Sequence, residues 1–305
     1  MDNIRKYLQV IRRSCDLLEK ELDALRPGTA PPLPEPVELL PQSVNLPSVR
    51  QEHVQKLLAI PDWPAAVAAD TVASDDSYEQ QYDRGQAILD VMLDESLENK
   101  HFLDFGCGSG FAAFCAHKSR KVLSATGYDI CQSGWWANLQ GPTYTTERQG
   151  LKSAHYDVIF MYDVLDHVVN IPDLRRLMDD VRQLLRPGGS VYVCCHPWTS
   201  RHATHTYKTG LNKAFIHLFL SQEECLELGF TPLPTRRETD PLKAYADWFG
   251  GFKTVSCRQD STPVEGFFLA DGMKQLLIAE QKLPKDRHGK FFEEMAIDFI
   301  HYRLC

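Results

Sequence analysis

Three glycines alternate in the stretch HFLDFGCGSGFAAF, at Gly106, Gly108 and Gly110, with Asp104 two residues ahead of them and Asp129 closing the apolar run VLSATGYD. Phe102, Leu103 and Phe105 are strand formers, so the glycines fall where a strand ends and a helix begins. A loop without Cβ atoms lets backbone approach a ligand closely. An acid at the end of the next strand is placed to accept hydrogen bonds from ribose hydroxyls. A P-loop would need Gly-Lys-Ser/Thr after the glycines, and a dinucleotide fingerprint would need glycine or alanine where this chain has Phe111. The spacing is G-x-G-x-G, which fits neither.

A second group of reactive residues follows the apolar run SVYVCC. The stretch HPWTSRHATHTY carries His196, Trp198, Arg201, His202, His205 and Tyr207, and His167 ends the earlier run YDVIFMYDVLDH. Histidine near neutral pH suits removal of a proton from a hydroxyl. His196 is the favoured base because it lies immediately beyond a strand end, with His202, His205 and His167 as the other catalytic candidates. The spacing H-x5-H-x2-H is not a zinc signature, and the adjacent Cys194 and Cys195 of a strand point to opposite faces, so no metal is assigned.

Taken in order, LDFGCGSGF, GYDI, YDVIFMYDVLDHV and LLRPGGSVYV resemble the class I S-adenosylmethionine-dependent methyltransferases, over roughly Tyr78 to Pro197 and more weakly to Lys282. The resemblance implies an α/β fold: an open, mostly parallel seven-stranded Rossmann-like sheet. To this the chain adds a helical cap insertion at about 197–249 and an N-terminal helix. The resemblance also implies S-adenosyl-L-methionine as cofactor. The positions it assigns to the cofactor are Tyr82, Asp104, Gly106, Cys107, Gly108, Gly110, Asp129, Ile130, Asp163 and Val164, with Tyr78 a further candidate. The adenine contact is left to Glu147–Gln149, or to Trp135 or Trp136. The residues after Tyr162 are not the N/D-P-P-Y signature of nucleobase amino-methyltransferases, which argues against DNA or RNA base methylation. The expected activity is O-methylation of a small-molecule or sugar hydroxyl. N-methylation, aminopropyl transfer on the same fold, and a methyltransferase-like scaffold without catalysis are the alternatives.

The elements that must position these groups can be placed from pattern. Ile4, Leu8, Ile11, Cys15, Leu18, Leu22 and Leu25 form a 4-3 seam, so residues 1–26 read as an amphipathic helix, either a short coiled coil that makes a homo-oligomer or a docking helix. Seven prolines between positions 27 and 47 then prevent helix and form a spacer, leaving 48–305 as the catalytic domain. Asp75 or Asp76 is expected to cap the helix SYEQQYDRGQAILDVML, and the third strand is expected near Tyr144 to Thr146. Asn170, Pro172 and Asp173 start the next helix, and Pro187-Gly188-Gly189 turns into the fifth strand. Ser221 and Glu224 make a capping box for a helix closed by Gly229, and PLKAYADWF forms another helix. FKTVSCR is the expected sixth strand and MKQLLIAEQK the seventh. The closing stretch GKFFEEMAIDFIHYRLC reads as a helix with Phe291, Met295, Phe299 and Tyr302 on one face.

At 305 residues and 43% hydrophobic, the chain can bury a sizeable core. A net charge of -8, a pI near 5.8 and no Lys or Arg run longer than a pair give no support to a nucleic-acid or membrane-surface patch. The nine cysteines include no C-x-x-C pair, which favours free thiols in a reducing compartment. With no apolar signal core or spanning segment, a cytoplasmic protein without a membrane span is expected.

Overall fold

The computed structural model describes residues 77–168, 170–198, 200, 220–228, 245, 247–263 and 295–305. The N-terminal seam, the proline spacer, His202, His205, Gly229 and the stretch MKQLLIAEQK lie outside them. Elements run α1 (Tyr78–Met92), β1 (His101–Phe105), α2 (Phe111–Ser119), β2 (Ser124–Tyr128), β3 (Thr143–Thr145), β4 (Tyr156–Tyr162), α3 (Ile171–Leu184), β5 (Leu185–Cys195), α4 (Gln222–Glu227), β6 (Thr254–Pro263) and β7 (Met295–Leu304). The strands form one sheet in the order β3-β2-β1-β4-β5-β7-β6. The first five strands in sequence pair in parallel, and β7 runs antiparallel between β5 and β6. The order reverses at β1 and β4, so a crevice opens at their carboxyl ends, where open α/β sheets bind ligands.

Both faces of the central strands are covered. Phe102, Val158, Phe160 and Tyr192 pack with Leu89, Cys115 and Ala116 of α1 and α2, while Leu103, Ile159, Val191 and Val193 pack with Leu174, Met178 and Val181 of α3. Burying each large apolar side chain contributes roughly 1.5–3 kcal/mol, enough to hold short strands whose own pairing is weak. Gly85 lets α1 cross α2 closely, since a Cβ there would lie 2.9 Å from Cys115 Sγ and 3.0 Å from the Phe111 carbonyl.

Four local expectations need correction. The N-cap of α1 is Ser77, not Asp75 or Asp76: its hydroxyl accepts from Gln80 N and the Gln80 side chain accepts from Ser77 N, which satisfies two orphan donors at once. The Pro-Gly-Gly segment lies within β5 as an irregularity, where the pairing with β4 jumps from Tyr156↔Leu185 to Val158↔Ser190 and Gly188 takes φ +80°. The third strand spans Thr143–Thr145, one residue earlier than expected. The largest correction is at the C-terminus, where MAIDFIHYRL forms β7 and not the expected helix. Ile300, Tyr302 and Leu304 are buried on one face while Phe299, His301 and Arg303 take the other. That period of two, hydrogen-bonded to neighbours on both sides, overrides the 4-4-3 apolar spacing. The β6–β7 pairing is antiparallel, and the Ser221–Glu224 capping box of α4 is as expected.

Candidate active site

At the end of β1 the chain turns toward β2, because Gly106 N and Cys107 N both donate to the Tyr128 carbonyl at 2.7 and 2.9 Å. Gly106 has φ +79°, and a Cβ on it would sit 2.4 Å from Val164 Cγ2, so this turn is pressed against the loop that follows β4. Gly108 is different: at φ +49° a Cβ would meet no atom within 4 Å. The middle of the loop therefore faces open space, which is the room a ligand needs. Cys107 directs its buried thiol toward Gly127 on β2, leaving its backbone to the loop surface.

The loop is held from outside by donors to its carbonyls. Trp136 Nε1 donates to the Gly108 carbonyl at 3.0 Å and the Tyr144 hydroxyl to the Gly110 carbonyl at 2.8 Å, with the two rings stacked at 5.3 Å. Trp135 packs edge-on against Phe111. Both tryptophans considered for the adenine are thus engaged with the protein, whereas Glu147 and Gln149 remain exposed after β3. Arg148 between them is tied to Asp180 of α3.

Asp129 stands opposite the loop. One carboxylate oxygen accepts from Gly108 N at 2.8 Å and the other from Cys131 N at 3.0 Å, so the group is fixed in direction while each oxygen keeps a lone pair for a further donor. Burial pushes its carboxyl up, and the backbone donors Cys131, Gly108 and Ile130 pull it back down. Ile130, next in sequence, exposes its side chain at the rim. Beneath the loop Asp104 is 2% exposed and accepts from Ala113 N of α2 at 3.2 Å. Burial pushes its carboxyl up to about 7, opposed by that hydrogen bond and reinforced by the charge of Asp129.

The ends of β4 and β5 form the other wall of the crevice. Asp163 and Val164 follow β4, and a single 3₁₀ turn, Leu165–His167, brings His167 to the rim. His167 is part-exposed, 3.8 Å from the buried Asp166 carboxylate, and its charge acts on Asp129. His196 leaves β5 only 7% exposed. Its ring lies 4.1 Å from that of Phe299 on β7, its Nε2 is 3.6 Å from Asp163 Oδ2, and its carbonyl accepts from the buried Tyr245 hydroxyl at 3.4 Å.

The crevice therefore brings together Asp104, Gly106, Cys107, Gly108, Gly110, Asp129, Ile130, Asp163, Val164, His167 and His196. Tyr82 stands apart. Its hydroxyl pairs with Ser119 at the far end of α2 and with Gln86, and Lys118 lies over its ring. The side chain of α1 that does reach the loop is Gln81, which sequence reasoning missed: it is 3% exposed and accepts from the Ser109 hydroxyl at 3.2 Å. Tyr78 packs on Phe111 and Phe114.

The glycine loop, Asp129 and Ile130 fit S-adenosylmethionine. An anchored carboxylate suits the ribose hydroxyls, an exposed aliphatic rim suits the adenine, and the open space over Gly108 admits the body of the ligand. The family described as methyltransferase domain matches residues 78–228. Among curated proteins none matches the chain. Among solved structures, a S-adenosylmethionine-dependent methyltransferase from Mesorhizobium loti is similar at 16% identity and TM-score 0.43, covering 72% of this chain and 95% of that one. One from Archaeoglobus fulgidus aligns at 13% identity and TM-score 0.44, covering 80% and 99%. A phosphoethanolamine N-methyltransferase from Haemonchus contortus aligns at 13% and 0.43, covering 73% of this chain and 52% of its own. Likeness at that level says nothing of the acceptor. Residues 78–228 thus carry a methyltransferase domain, and its glycine loop, two acids and strand order are those of the class I S-adenosylmethionine-dependent methyltransferase fold.

Proposed function

We propose that this enzyme methylates a hydroxyl group of a small molecule or sugar, with His196 as general base. The observation that carries the reading is the placement of His196: a buried imidazole at the carboxyl end of β5, against the loop whose Val164 touches Gly106. When bound, S-adenosylmethionine would supply an electrophilic methyl group to the acceptor oxygen, its sulfur keeping the bonding electron pair. Gly106 to Gly110, Asp129 and Ile130 would hold that donor, and Asp104 braces the loop through Ala113. His196 takes the hydroxyl proton as the oxygen is methylated, so the product ether leaves neutral. The rest of the rate comes from holding the oxygen in line. The eight cysteines among the described residues are all free, which supports a reducing, cytoplasmic setting.

The test is release of S-adenosylhomocysteine over a panel of hydroxyl and amino compounds by the full chain and by His196→Ala. A hydroxyl acceptor should emerge, and the variant should lose roughly 10²–10⁴-fold in turnover, about 3–5 kcal/mol of barrier, with cofactor affinity nearly unchanged. Wild-type turnover in His196→Ala, or activity confined to amines, would refute it.

A further inference from the structure

Asp163 has features that cofactor binding does not explain. It takes φ +54°, one of four positive-φ residues other than glycine among the described residues. The other three, Asn99, Lys121 and Ala154, precede strands at the opposite end of the sheet. Asp163 N still donates to the Cys194 carbonyl at 2.9 Å, so the β4–β5 ladder runs one residue past the strand before the backbone twists. The twist sends the carboxylate sideways to β5, where Oδ2 comes to 3.6 Å from His196 Nε2. Its Oδ1 is buried and accepts no hydrogen bond from the described residues. A strained backbone and an unsatisfied buried oxygen both disfavour folding, and such features persist where a site needs them.

We propose that Asp163 is the positioning residue of His196. The inference rests on the reading of His196 as base. An N–H turned to the Asp163 carboxylate leaves the second ring nitrogen in its basic form, and the carboxylate stabilises the imidazolium that forms when the acceptor's proton arrives. The 3.6 Å separation is just beyond a hydrogen bond, and such contacts tighten in the loaded enzyme. Phe299 limits the tilt of the ring from the other side. Among the described residues, titratable groups around the pair include Tyr162 and Asp166 beside β4, Cys194 on β5, Tyr245, whose hydroxyl donates to the His196 carbonyl, the Asp260–His301 pair on β6 and β7, and Arg84 of α1, which acts on Tyr162.

The test reads His196 itself and needs no acceptor. The full chain, ring-¹⁵N-labelled at histidine and saturated with S-adenosylhomocysteine, is titrated by NMR, with His196→Ala assigning the signal. Asp163→Asn keeps the size of the side chain and a residue type that tolerates the left-handed backbone. In that variant the His196 midpoint should fall by about one pH unit, and the ¹⁵N shifts should lose their single-tautomer signature. S-adenosylmethionine affinity by calorimetry should stay within about twofold of wild type, the size of scatter expected when no contact is lost. An unmoved midpoint would overturn the inference, as would a loss of cofactor affinity of tenfold or more, which would make Asp163 a cofactor ligand. If His196→Ala keeps full turnover, the base assignment fails instead, a result this titration does not depend on.

Discussion

Adding one methyl group at Gly106 and at Gly108 should give opposite phenotypes, although the two glycines are a single residue apart. At Gly106 the new Cβ would lie 2.4 Å from Val164 Cγ2 and 3.2 Å from Cγ1, at φ +79°. Overpacking of this kind costs about 1–3 kcal/mol, and a left-handed conformation for a Cβ-bearing residue about 1–2 kcal/mol more. Gly106→Ala should therefore lose roughly 2–5 kcal/mol, a fall in Tm of roughly 5–15 °C for a domain of this size. At Gly108 the Cβ meets nothing within 4 Å. There only the backbone term of about 1–2 kcal/mol applies, offset by about 0.4–1 kcal/mol from the stiffer unfolded chain, so Tm should move by no more than about 6 °C. The methyl would nevertheless fill space the cofactor occupies, and Gly108→Ala should bind S-adenosylmethionine at least tenfold more weakly, about 1.4 kcal/mol. Differential scanning calorimetry and isothermal titration on both variants decide it. A Gly108→Ala protein that binds as wild type does would refute the assignment of that space, and equal destabilisation of the two variants would refute the packing argument.

Three further outcomes are expected. Gln81→Ala should weaken cofactor binding about fivefold, the value of one hydrogen bond of about 1 kcal/mol to the loop, whereas Tyr82→Phe should leave it unchanged; a reversed pattern in titration calorimetry would restore Tyr82 to the site. Asp104 titrates near about 3.9 in an unfolded chain but at about 7 in the fold, so its contribution to stability is present below about pH 4 and is lost as pH rises through 7. Asp104→Asn, which can still accept from Ala113 N, should accordingly melt higher than wild type at pH 8 and show no such gain at pH 4; a gain that fails to grow with pH would contradict the buried-charge reading. Deleting residues 1–26 should lower the oligomeric state seen by light scattering and leave cofactor affinity intact, and an unchanged mass would leave only a docking helix.

The sequence made the centre of the sheet legible because there the signals are local and agree. A strand-forming run, three spaced glycines and an acid after the next apolar run all lie within 30 residues, and the parallel strands buried on both faces read as continuous apolar stretches. Gln81 was legible too, but for a different reason. It lies on the stripe Gln81, Gly85, Leu89, Met92, the buried face of α1, and Tyr82 lies one position off it. Helical phase, not aromatic character, marks the side chain of α1 that reaches the loop. The C-terminal strand was hidden because Met295, Phe299 and Tyr302 fall at helical spacing, while the feature that decides the issue, two long-range neighbours β5 and β6, has no local trace. The Asp163–His196 approach belongs to the same class. It depends on a left-handed residue between strands more than 20 positions apart, and nothing in the sequence Tyr-Asp-Val announces that backbone angle.

A crystal structure of the full chain with S-adenosylhomocysteine tests the central claim most directly. The ribose hydroxyls are expected on the two oxygens of Asp129, the adenine against Ile130, the ligand's body over Gly108, and its sulfur facing the side of the crevice that holds His196. Ligand density elsewhere on the protein, or in the crevice with Asp129 still bound only to Gly108 and Cys131, would contradict it.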